Sequence, residues 1–154
     1  MRRKLGAAGC LLWFLSASLI AVQAGQGTAT SPMRIEVQLV WGTNDKQSPD
    51  PKHKPVNAEV KKKLGDLPLK WANYFEVNRR IIELPPLGSQ KVSMSPKCEI
   101  EIHDLGKSRI EVSHFSKGEH LLKRTQAFAK GDTFVLGGNA PNATSWFVVL
   151  KRLD

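Results

Sequence analysis

Two runs of alternating apolar and polar residues flank Gly106. Cys98, Ile100 and Ile102 alternate with Glu99, Glu101 and His103, and Ile110 and Val112 alternate with Arg109, Glu111 and Ser113. A period of two over this length predicts strands with one face in a core and the other in water. The segment between them contains a glycine and good turn formers, so the stretch Cys98–Phe115 predicts a β-hairpin. A three-residue loop, Asp104-Leu105-Gly106, puts the glycine where such loops need a left-handed residue. That register pairs Ile100 with Ile110 and sets Glu101 opposite Arg109. The rival even register opposes Glu101 and Glu111, a like-charge pair costing roughly a few tenths of a kcal/mol.

The same alternation recurs on both sides of the hairpin. Ile35, Val37, Leu39 and Trp41 share one phase, which predicts a strand with Trp41 on the core side. Residues 42–56 hold three prolines and almost nothing apolar, and predict the longest loop. Asn57 is placed to cap a short helix over 58–64, with Gly65 as its C′ residue and Val60 and Leu64 docked on a sheet. Residues 70–84 are aromatic and β-branched, and predict two strand pieces broken around 78–80. Further strands are expected over 90–95, 120–128, 133–136 and 144–153, with 137–142 as a hairpin loop. In the last of these, Trp146 to Leu150 are apolar on both faces, as in a strand lying between two layers. Turn residues recur about every 8–12 positions. The fold class expected is mainly β: a single antiparallel β-sandwich or barrel-like domain of about 7–8 strands with one short helix.

Composition changes this picture at the N-terminus. Arg2, Arg3 and Lys4 precede an apolar run to Val22, and Val22-Gln23-Ala24 offers small residues at the positions a signal peptidase reads. Residues 1–24 therefore read as a secretory signal peptide, 25–32 as a flexible leader and 33–154 as the β-rich domain. An uncleaved anchor is the competing reading, weakened by Gly6, Gly9, Ser16 and Ser18 in the run. The location expected is exported, periplasmic or extracellular, with no stable membrane insertion after cleavage. Removing residues 1–24 leaves 130 residues with a net charge of +6, moderately basic. It also leaves Cys98 as the single cysteine, which excludes an internal disulfide. Its phase with Ile100 and Ile102 predicts a buried, unpaired thiol.

Three stretches carry a resemblance: Leu39-Val40-Trp41-Gly42-Thr43-Asn44-Asp45, Lys70-Trp71-Ala72-Asn73-Tyr74-Phe75-Glu76-Val77 and Trp146-Phe147-Val148-Val149-Leu150. Together they resemble an uncharacterised group of small exported bacterial β-rich proteins with no assigned activity. The resemblance implies an envelope-side bacterial protein and transfers no functional residue.

Chemistry is sparse. The four histidines, His53, His103, His114 and His120, show no metal-ligand spacing, so no metal or other cofactor is expected. His103 shares a polar sheet face with Glu101, and His114 is placed to approach from the partner strand. The carboxylates Glu99, Glu101 and Glu111 sit on an open face without a pocket to shift them. No nucleophile motif occurs, so a catalytic centre is not expected. Basic and aromatic residues suggest binding instead: Lys52, His53 and Lys54 in the long loop, Lys61, Lys62 and Lys63 on the helix, and Lys70, Trp71 and Tyr74 after it. The function expected is an exported non-catalytic β-domain acting by contact, an accessory or structural protein of the cell envelope. A carbohydrate- or polyanion-binding module is the alternative, and a small hydrolase the third reading. Expected partners are an envelope protein or an anionic polysaccharide. Nucleic acid is not expected, because the chain is exported and has no reader motif.

Overall fold

A computed structural model describes residues 31–154. The predicted signal segment and residues 25–30 of the leader lie outside the described residues. In chain order the elements are β1 (Met33–Thr43), β2 (Lys54–Pro55), α1 (Ala58–Gly65), β3 (Asn73–Leu84), β4 (Ser89–Ser95), β5 (Cys98–Gly106), β6 (Arg109–Ser116), β7 (Glu119–Ala127), β8 (Thr133–Ala140) and β9 (Thr144–Arg152). They form two open antiparallel sheets, one in the order β2-β3-β1-β9-β8 and the other β4-β5-β6-β7. Among the described residues the architecture is a β-sandwich of nine strands with one short helix, and not a closed barrel.

Alternation builds the interior. Ile35, Val37 and Leu39 of β1, Val148 and Leu150 of β9, and Phe134 and Leu136 of β8 point inward from the larger sheet. They meet Val92 and Met94 of β4, Ile100 and Ile102 of β5, and Ile110 and Val112 of β6. The opposite face of the larger sheet is also covered. Val40, Phe147 and Val149 pack beneath Val56 and the helix residues Val60 and Leu64. The last strand is therefore apolar on both faces because it lies between two hydrophobic layers, flanked by β1 and β8.

The helix begins as its sequence predicts, with the Asn57 carboxamide oxygen accepting from the Val60 amide at 2.8 Å. It ends differently. Gly65 is the last helical residue and is not left-handed, and Asp66 at φ −77° forms the cap. The segment 70–84 also departs from expectation, because residues 70–72 lie outside the strand and β3 is continuous. Its irregularity is a bulge: Leu39 faces Asn78 and Val40 faces Glu76, which leaves Val77 as the extra residue. The expected hairpin loop at 137–142 is mostly strand, since β8 runs to Ala140. Gly137 and Gly138 lie opposite Phe147 and Trp146 and give those rings room to lie across β8.

The register of the central hairpin differs from both registers considered above. Ile102 faces Val112, Ile100 faces His114, Glu101 faces Ser113, and Gly106 faces Arg109. The turn is the two residues Lys107 and Ser108, at φ 52° and 53°, a twist that suits a two-residue hairpin. Gly106 at φ 74° sits beside the bulge that leaves Leu105 unpaired. The Asp104 carboxylate holds this geometry, accepting from the Gly106 amide at 2.9 Å and from the Leu87 amide at 3.0 Å. A loop-to-loop brace outweighs the simple choice of turn length.

Two glycines give opposite expectations. A Cβ at Gly138 would collide with the Trp146 indole, whereas one at Gly65 would meet nothing within 4 Å. Gly138→Val is expected to destabilise the domain by about 1–3 kcal/mol through overpacking. Gly65→Ala should stabilise it by up to about 1 kcal/mol. Urea denaturation of both variants checks the pair, and equal midpoints would contradict the packing described.

Candidate functional site

Polar and aromatic side chains converge at the end of the sandwich where β1 and β9 carry Trp41 and Trp146 opposite each other. Sequence phase places Trp41 with the core residues, yet it is only half buried. Its alternation continues to the sheet's end, where the opposing sheet no longer covers it. Trp41 instead lines an open cleft of about 720 Å³ between the 45–49 loop and the β8–β9 turn. Asp45, Gln47 and Ser48 stand on one side, and Asn142 and Thr144 on the other. Among the described residues no lysine or arginine lines this cleft.

The loop wall is braced from within. The Asp45 amide donates to Thr43 Oγ1 at 3.1 Å, and the Asn73 side chain donates to the Asp45 carbonyl at 3.0 Å. Ser48 Oγ lies 2.7 Å from His53 Nδ1, and His53 Nε2 lies 3.7 Å from the Asp50 carboxylate. The Asp50 side chain also accepts from the Lys52 amide at 2.9 Å. These bonds give a long, proline-rich segment a fixed shape.

A second cavity, of about 380 Å³, adjoins the first and shares Ala140 and Pro141 with it. It opens between the two sheets over Leu39, Cys98, His114 and Trp146. His114 is not on the polar face expected for it. It shares its phase with Ile110 and Val112 and points inward, 2% exposed. Its ring lies 4.4 Å from the Trp146 ring, tilted by 41°, and neither ring nitrogen has a hydrogen-bond partner among the described residues. Burial holds the imidazole below its ordinary pKa of 6.5, so the neutral form is favoured. Cys98 is buried and unpaired as its phase predicts, and burial pushes its thiol up to about 11. His103 stays exposed on the outer face opposite Glu111.

The residues singled out for binding are spread over the surface of the larger sheet. Lys52 and His53 lie in the long loop, and Lys54 forms part of β2 opposite Glu76. Lys61 reaches a small cleft of about 170 Å³ with Lys46 and Tyr74. Burial raises the Tyr74 phenol above its ordinary pKa. Lys62 and Lys63 occupy the last turn of α1, where they suit the helix dipole. Lys70 Nζ lies 5.8 Å over the Trp71 ring. Trp71 and Tyr74 both meet Phe147 edge-on, at 5.8 and 5.9 Å between centroids. The Trp71 indole N–H donates to the Ala143 carbonyl at 2.9 Å, so this tryptophan ties the outer layer to the β8–β9 turn.

Among the described residues no cluster of three or more His, Cys, Asp or Glu side chains is placed to hold a metal ion. Nor is any helix among them long and apolar enough to cross a membrane. No protein-family model matches the chain, no curated protein matches it, and no solved structure does.

The buried imidazole implies a pH dependence. Its pKa is lower in the folded chain than in the unfolded chain, so unfolding takes up protons as the pH falls below about 6.5. The stability contributed by neutral His114 is present above that value and lost on acidification. Denaturation midpoints measured between pH 7.5 and 4.5 should fall, and should fall less in His114→Leu. An equal decline in both proteins would contradict this. Native Cys98 should resist a bulky thiol reagent at neutral pH and react only on unfolding.

Proposed function

We propose that the chain is an exported, non-catalytic β-domain of the cell envelope that acts by binding, and that its ligand is an uncharged carbohydrate chain. One observation carries this reading: Trp41 lies half exposed in an open cleft lined by carboxylate, carboxamide and hydroxyl side chains. A sugar ring has apolar faces that stack on an indole and a rim of hydroxyls that bond to such groups. The cleft contains Asp45 and no cationic side chain, which favours a neutral glycan over an anionic one. The N-terminal signal pattern supports export. The lysines of α1 and the long loop are a solvated surface in this reading.

Affinity electrophoresis separates the alternatives. Retardation by an uncharged polysaccharide is expected, with little dependence on salt. Trp41→Ala should weaken it at least tenfold, about 1.4 kcal/mol. Replacing Lys61, Lys62 and Lys63 with Gln should leave it unchanged. Retardation only by anionic polysaccharides, lost in the lysine triple variant, would favour the polyanion reading and defeat this one.

A small hydrolase is the second reading, favoured by the Ser48–His53 contact of 2.7 Å on the wall of the same cleft. Ser48 Oγ would attack an ester carbonyl as His53 Nδ1 takes its proton, and the imidazolium would then protonate the leaving alcohol. Against it, Asp50 is 3.7 Å from the ring and half exposed, and the three groups already brace their own loop. The binding reading expects no turnover of p-nitrophenyl acetate above the buffer rate. Turnover abolished by Ser48→Ala would establish the hydrolase.

A further inference from the structure

The cavity between the sheets asks for an explanation that the glycan cleft does not supply. A β-sandwich ordinarily fills this layer with aliphatic side chains, as Ile110 and Val112 do on the same strand. At the next inward position stands His114, with both ring nitrogens buried and unpartnered. A buried polar group without a partner is destabilising, a cost that a leucine at this site would avoid. The ring also lines a cavity of about 380 Å³, within the size range of small-molecule sites.

The lining shows what would fit. Leu39, Cys98 and Trp146 form apolar walls, Leu121 is a half-exposed apolar group at the rim, and no carboxylate is present. Ser95, Lys97, Ser116 and Asn139 also line it but are at least partly exposed, and His114 is the polar residue of the lining that is buried. The thiol is held protonated, and the imidazole neutral, by the same burial. A neutral imidazole offers one donor and one acceptor. That combination suits one hydroxyl, which can give and take a hydrogen bond, and it suits a charged head poorly.

We infer that this cavity binds a compact, uncharged apolar molecule bearing a single hydroxyl, with its body against Trp146, Leu39 and Cys98 and its hydroxyl bonded to His114. Both nitrogens are shielded as the ring stands, so the bond to the hydroxyl requires the imidazole to turn toward the cavity. The site is separate from the glycan cleft in chemistry, and the two share only the Ala140–Pro141 lip. Its occupation does not depend on the glycan reading.

Isothermal titration of the full-length protein with 1-naphthol and with naphthalene tests the assignment. The alcohol is expected to bind about tenfold more tightly than the hydrocarbon. His114→Leu should bring the two affinities together while retaining naphthalene. Ser116→Trp, which blocks the rim and leaves His114 in place, should abolish both. Thermal denaturation identifies a variant that fails to fold, and the Ser116 variant then carries the test alone. Absence of binding by either probe to the native protein would overturn the site. Equal affinity for the two probes would overturn the role of His114, and so would a preference for the alcohol that survives in His114→Leu.

Discussion

Strand β9 belongs to both hydrophobic layers, and the rest of the molecule depends on that double burial. Val148 and Leu150 seal the space between the sheets, and Phe147 and Val149 hold the helix layer on the opposite face. A strand with only one apolar face would leave either α1 or the smaller sheet without a partner. The helix spans eight residues, too short to persist in water on its own, so its existence follows from packing on this strand. Antiparallel pairing with β1 and β8 then fixes where each side chain of β9 points.

The open end follows from the same constraint. Alternation along β1 and β9 carries Trp41 and Trp146 inward at the end of the sheet, where the smaller sheet covers them only partly. The glycines of β8 give the indole of Trp146 room to lie across the neighbouring strand, and His114 closes over it from the other sheet. Bulges at Val77 on β3 and at Leu121 on the edge strand β7 interrupt the ladders near this end. Clefts at the rim of a sandwich thus arise from strands whose hydrophobic pattern outlasts their cover.

Most of the architecture was legible because it rests on period-two alternation, which a single sequence displays directly. The two-faced character of Trp146–Leu150 identified a strand between layers, and the phase of Cys98 identified its burial. The hairpin register was not legible. It depends on Asp104 bridging to the Leu87 amide, a contact between loops that no local turn rule contains. The half-exposure of Trp41 was not legible for a related reason. Trp41 carries the core phase, but phase says which way a side chain points and not whether anything covers it. His114 was assigned to the polar face for its chemistry, although Ile110 and Val112 set its parity. The lysines, conspicuous as charges, proved to be spread over one face without a cleft of their own, apart from Lys61.

Trp71 shows how the outer layer reaches the open end without lining the cleft over Trp41. Its ring packs edge-on against Phe147, and Phe147 belongs to β9. Its N–H holds the Ala143 carbonyl, in a turn where Asn142 and Ala143 take φ values of 61° and 53°. Asparagine tolerates that region and alanine does so only at a cost, so an external contact is needed to keep the turn in place. The same turn supplies Pro141, which borders both the cleft over Trp41 and the cavity over His114. Trp71, singled out for binding in the sequence, thus also serves as a strut. It sets the lip of two cavities by fixing the backbone that separates them, and the burial of Phe147 beneath the helix layer in turn fixes the strut.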